Sequence, residues 1–135
     1  MSDRFLFRAW HKKYKTLYEV LHLHKSDIEG LWVTVRGRNC IEHKDINIQI
    51  QPKDFVIMQC TGLKDKNGKL IYEGDILHAF NLYVYIVIFI DGCFCVRNIE
   101  SDSKWDEELY ICAAHTTVVG NIYENPELFE SEDES

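Results

Sequence analysis

Met58-Gln59-Cys60-Thr61-Gly62-Leu63-Lys64-Asp65-Lys66-Asn67-Gly68-Lys69-Leu70-Ile71-Tyr72-Glu73-Gly74-Asp75-Ile76 decides how this chain is read. Phe55 to Cys60 has strand character and runs into a segment rich in turn residues. Asn67-Gly68 is the strongest short-range turn signal in the chain, because both residue types tolerate positive φ. Leu70-Ile71-Tyr72 follows as a short strand, and Glu73-Gly74 turns into a further strand, Asp75 to Phe80. Gly62, Gly68 and Gly74 supply turns, Asn67 helps one of them, and Asp65 and Asp75 are placed to accept hydrogen bonds from backbone N–H groups there. Thr61 and Gln59 can do the same. A stretch so rich in turn chemistry is explained by architecture before reactivity.

Outward from this stretch the pattern stays β. Downstream, Tyr83 to Ile90 and Cys93 to Arg97 flank Asp91-Gly92 and predict a hairpin. Thr116 to Tyr123 is strand-like apart from Gly120. Upstream, Phe5 to Trp10 alternates, and His11 to Lys15 reads as a polar turn. Leu31 to Val35 is a strand ended by Arg36-Gly37-Arg38-Asn39. Asp45 to Gln51 is another, closed by Pro52. Thr16 to His24 stays open: Leu17, Val20, Leu21 and His24 have helical spacing, yet the same residues permit a strand. Many short strands with turn punctuation predict a mainly β protein, with a small barrel or roll in the C-terminal part and a β-rich, or α+β, N-terminal part. The chain reads as one domain, with a division at 1–52 and 53–128 and an acidic tail at 129–135.

Fifteen basic against 22 acidic residues give a net charge of −7, which disfavours default attraction to nucleic acid or an anionic membrane. The sum hides a gradient. Residues 1–69 carry 13 basic and 8 acidic side chains, while residues 70–135 carry 2 and 14. The simplest account is that the two halves, or neighbouring subunits, neutralise each other. The longest apolar run, Val84 to Ile90, falls far short of the roughly 20 residues that span a bilayer. The opening residues lack the apolar core of a signal peptide. The expectation is a cytoplasmic protein without a membrane partner. Its five cysteines, Cys40, Cys60, Cys93, Cys95 and Cys112, form no regular framework and are expected as free, mostly buried thiols.

Three segments together resemble the YopX family of phage and prophage proteins. Phe7-Arg8-Ala9-Trp10 with Lys12-Lys13 resembles its opening, Met58 to Ile76 its signature, and Val119-Gly120-Asn121-Ile122-Tyr123-Glu124-Asn125-Pro126-Glu127-Leu128 its close. Order, spacing and length agree over nearly the whole chain. Cys60 departs from the aromatic residue expected there. The resemblance implies a small barrel of the Src homology 3 type and an origin in a phage genome or prophage. It implies no reaction, and no catalytic residue is carried over. The signature positions are Gln59, Thr61, Gly62, Asp65, Asn67, Gly68, Tyr72, Glu73, Gly74, Asp75, Gly120 and Asn121.

Chemical motifs are sparse. His22-Leu23-His24 and Cys93-Phe94-Cys95 each set two ligands on one strand face, and a zinc site would require the pairs to converge. Cys60 with His78 or His115 as base is a nucleophile only if the fold brings them together. Glu73 with Asp75, or Glu107 with Glu108, would need burial to act as acid and base. The glycines match no phosphate loop. The expectation is therefore no enzyme, no cofactor and no metal. A non-enzymatic accessory or adaptor protein, acting through self-association or contact with another protein, is the favoured reading. The alternative is a nucleic-acid-binding small barrel using a basic and aromatic face of Arg8, Trp10, Trp32, Arg36 and Arg38.

Overall fold

The computed structural model describes residues 6–26, 28, 30–39, 44–80, 83–99 and 106–128. Arg4, Cys40 and the acidic tail 129–135 lie outside them, as does the side chain of Arg38. The chain forms two units divided between Met58 and Gln59, inside a strand, where the sequence placed the division at 52.

The N-terminal unit contains β1 (Phe7–His11), β2 (Thr16–Ser26), β3 (Gly30–Asn39), β4 (Lys44–Ile50) and the start of β5 (Phe55–Lys64). The strand order is β4-β3-β2-β1-β5. Period-2 alternation puts Ala9, Val33, Val35, Ile50 and Phe55 into a buried cluster, packed by Tyr18, Val20, Ile48 and Ile57. Thr16 to His24 is strand throughout. A bulge between Val20 and His22 inserts Leu21 as an extra residue: Val20 pairs with Val35, and the next pair is His22 with Thr34. The face shared with Val35 and Val33 passes from Val20 to Leu23 in the register, with Leu23 43% exposed. The helix-spaced set Leu17, Val20, Leu21 and His24 shares no face of this strand: Leu17 pairs with Trp10 and His24 with Trp32, on the face opposite to Val20 and its partner Val35. The third strand runs past Arg36 to Asn39, because β4 pairs along it through Arg36↔Asn47, Gly37↔Ile46, Arg38↔Asp45 and Asn39↔Lys44.

The C-terminal unit begins within β5, which pairs with β6 (Leu70–Tyr72). Then come β7 (Asp75–Ala79), β8 (Tyr83–Ile90), β9 (Cys93–Asn98), β10 (Glu107–Glu108), the single turn α1 (Leu109–Cys112) and β11 (Thr116–Asn121). The sheet order is β10-β9-β8-β7-β11, all antiparallel. Asp91-Gly92 makes the β8–β9 hairpin with φ of 51° and 83°. Two consecutive positive φ values are what a two-residue hairpin turn requires for strands of right-handed twist. Ile71, Leu77, Val87, Val96, Leu109, Cys112 and Ala113 form the core. Among the described residues no ladder joins β10 to β11, so this sheet is open and the expected barrel is not closed. β10 spans only two residues, and β11 pairs with β7.

Candidate functional site

The signature residues are tied to their own backbone. Asp65 is 6% exposed. Its Oδ1 accepts from Asn67 N–H and Lys69 N–H, both at 2.9 Å, and its Oδ2 accepts from Val118 N–H at 2.9 Å. Burial opposes its charge, but those three N–H groups and the Lys69 ammonium overcome it and hold the carboxyl below its ordinary range. Asp75, 1% exposed, accepts from Tyr72 N–H at 2.8 Å across the Glu73-Gly74 turn. Glu73 N–H donates to the Gln59 carbonyl, and Gly74 bonds Val87 and Ile122 through its N–H and carbonyl. Thr61 donates to the Ile71 carbonyl and accepts from Leu63 N–H. Gly62, Gly68 and Gly74 have φ of 84°, 83° and 88°.

The closing segment uses the same device. The side-chain carbonyl of Asn121 accepts from the N–H groups of Tyr123 and Glu124, and its amide donates to the Glu124 carboxylate at 2.8 Å. Asn125 Oδ1 in turn accepts from Asn121 N–H. A Cβ at position 120 would run into the Asn125 amide, so any other residue there must displace that side chain.

On this scaffold a cleft of about 250 Å³ is lined by Lys66, His78, Phe80, Ala114, His115 and Thr117. Lys66 sits in the Asp65 turn, and its backbone N–H donates to the Thr116 carbonyl at 2.9 Å. His78 and Thr117 are cross-strand partners on β7 and β11. Phe80, 65% exposed, stacks on His115 with centroids 5.8 Å apart and planes at 25°. The sequence paired His78 and His115 only as bases for Cys60. That thiol lies within β5, opposite Tyr72, and is fully buried rather than held in a loop. Alternation around the buried Leu77 was the signal that turns His78 outward; nothing local marked Phe80.

In the N-terminal unit, register sets Arg8, Glu19 and Arg36 in one row across β1, β2 and β3. Arg36 Nε meets Glu19 Oε1 at 3.1 Å, so the acid between the two arginines offsets their charge. Trp10 is 7% exposed and does not offer its ring. Trp32 lies on the same face and lines a cleft of about 270 Å³ with His24, Ser26, Thr34 and Gln49. Arg38 stands opposite Asp45 in the register.

Other candidates are dispersed. Among the described residues no three His, Cys, Asp or Glu side chains gather to hold a metal. Cys93 and Cys95 bring their sulfurs to 3.4 Å. Burial, then the hydrogen bond with Cys93, pushes Cys95 up to about 11. Burial, then the charge of Glu107, pushes Cys112 up to about 11. Burial also raises Tyr85 and Tyr123, and a hydrogen bond with Glu108 raises Tyr110. Each of these shifts favours the protonated form. Among the described residues no helix is long and apolar enough to cross a membrane.

The family model described as YopX protein matches residues 6–130. A crystal structure of protein EF1440 from Enterococcus faecalis is similar, with 29% identity, a TM-score of 0.60, and coverage of 92% of this chain and 96% of that one. The crystal structure of protein yopX from Bacillus subtilis is 20% identical, with a TM-score of 0.58 and coverage of 93% and 98%. Among curated proteins none matches.

Proposed function

The chain belongs to the YopX family, and from that premise we propose that it is a phage- or prophage-encoded, non-enzymatic adaptor working in the host cytosol through protein–protein contacts. One contrast carries this reading. In the C-terminal unit the buried polar side chains serve the backbone, whereas Phe80, Phe89, Tyr110 and Ile111 are 65%, 53%, 68% and 56% exposed. Aromatic and large apolar groups at a surface are the usual anchors of protein interfaces. The raised thiol and phenol values argue in the same direction, since an activated nucleophile needs its anion favoured.

Native mass spectrometry of protein purified gently from its host, at low and moderate ionic strength, tests this. The expected result is a defined homo-oligomer or a stoichiometric complex with one host protein, lost in a Tyr110→Ser, Ile111→Ser double variant that still folds. A monomer with nothing bound overturns it.

Nucleic-acid binding by a small barrel of the Src homology 3 type is the second reading. Its support is that Arg8, Trp32 and Arg36 occupy one sheet face by register. It requires an affinity that falls steeply with salt and is cut by replacing Arg8, Arg36 and Arg38 together. Absence of binding to DNA and RNA at low salt removes it.

A further inference from the structure

The Lys66 cleft stands out for the chemistry of its lining. Residues 59–135 carry 15 acids and 5 bases, yet the lining, among the described residues, offers an ammonium, two imidazoles and a hydroxyl, and no carboxylate. An ammonium and two imidazole hydrogen-bond donors with no carboxylate among them suit a short anionic segment. The net charge of −7 disfavours a long polyanion such as nucleic acid.

Phe80 supplies the second observation. Its φ is 56°, a conformation that bulky L residues seldom adopt. Glycine would hold that backbone without strain, and a polar residue would avoid exposing a ring to water. Phenylalanine does neither, while remaining 65% exposed, so core packing does not account for it. Strain retained at an exposed aromatic points to use of the ring. Stacking on His115 fixes that ring at the rim of the cleft, and the Asp65 turn fixes Lys66 beside it.

We infer that this cleft docks an acidic segment of a partner protein, with Lys66, His78 and His115 meeting its carboxylates and Phe80 packing on an apolar side chain within the segment. The inference rests on the adaptor reading and names the chemistry of the partner. A protein segment suits the open cleft better than a small molecule, which needs most of its surface enclosed.

The test is fluorescence anisotropy of the full chain with a fluorescein-labelled Glu-Glu-Leu-Phe-Glu-Glu peptide, alongside the same peptide with every Glu replaced by Lys. Saturable binding of the acidic peptide alone is expected. Phe80→Gly should weaken it at least about five-fold while leaving the melting temperature unchanged or higher, because glycine relieves the strain. Lys66→Glu, an exposed substitution, should abolish it without loss of fold by circular dichroism. No saturable binding, equal binding of both peptides, or unchanged affinity in both variants overturns the inference. If the peptide fails to bind while native mass spectrometry finds a defined complex, the cleft inference falls and the adaptor reading stands. If the peptide binds as expected but the protein carries nothing from its host, the cleft inference stands and the adaptor reading falls.

Discussion

The N-terminal unit is held by long ladders whose inward face is apolar, while the C-terminal unit has mostly shorter strands joined by buried polar side chains. β2 and β3 span 11 and 10 residues, against 3 for β6 and 5 for β7. Among the described residues six buried ones are polar, and five of them, Thr61, Asp65, Asp75, Thr116 and Asn121, belong to the C-terminal unit. His11 is the N-terminal exception, its Nδ1 accepting from the N–H groups of Lys13 and Tyr14. A long alternating strand tolerates exchange among apolar residues. A short strand ended by a carboxylate that accepts three N–H bonds does not, because each orphaned buried donor costs free energy. The difference teaches why turn residues dominate the sequence of the second unit and alternation that of the first.

Asp65→Ala is the largest way to break this contrast. It should destabilise by about 3–5 kcal/mol in urea unfolding, since three donors lose their acceptor. A loss below about 1 kcal/mol would mean that water replaces the carboxylate and that the two units do not differ in this way. Gly120→Ala comes next, at about 1–3 kcal/mol, because its Cβ displaces the Asn125 amide.

Acid tests the same carboxylate without mutation. Asp65 has a folded pKa below its ordinary value of 3.8, so its contribution is present above that value and lost as pH falls through the folded pKa. Urea midpoints should drop between pH 4 and lower pH, and Asp65→Asn should flatten that drop. At the other end, Cys95 and Cys112 are raised from 9.0 to about 11. Their contribution is present below 9 and lost as pH rises through about 11, so midpoints should fall again between these values and fall less in a Cys112→Ser variant.

The smallest effect sharpens the comparison from the N-terminal side. Glu19→Gln breaks the Arg36 pair, but the two side chains are 62% and 46% exposed, so the cost should stay under about 1 kcal/mol. A larger loss would place a polar determinant among the long ladders of the N-terminal unit.

Much of the secondary structure was legible because its causes are local. Asp91-Gly92 carries its own hairpin turn, and Ile46, Ile48 and Ile50 alternate as a half-buried strand must. The Asp65 and Asp75 turns were legible as turns for the same reason. The bulge at Leu21 was not, because one inserted residue changes the parity of all that follow, and only pairing with β3 reveals where it lies. The end of the third strand was misplaced at Arg36 because the turn residues there pair with β4 instead of turning.

By itself the sequence determined the β class, the positions of most turns and membership of the family, since alternation and turn chemistry act over a few residues. Only the tertiary structure decided that Trp10 is buried while Phe80 is exposed, that the C-terminal sheet stays open, and that Asp65 reaches Val118, 53 residues away. It also decided that Lys66, His78, Phe80 and His115 share one cleft. These outcomes depend on which distant strands pair, and the register of such pairs is fixed by the packing of the whole sheet rather than by any short stretch of chain.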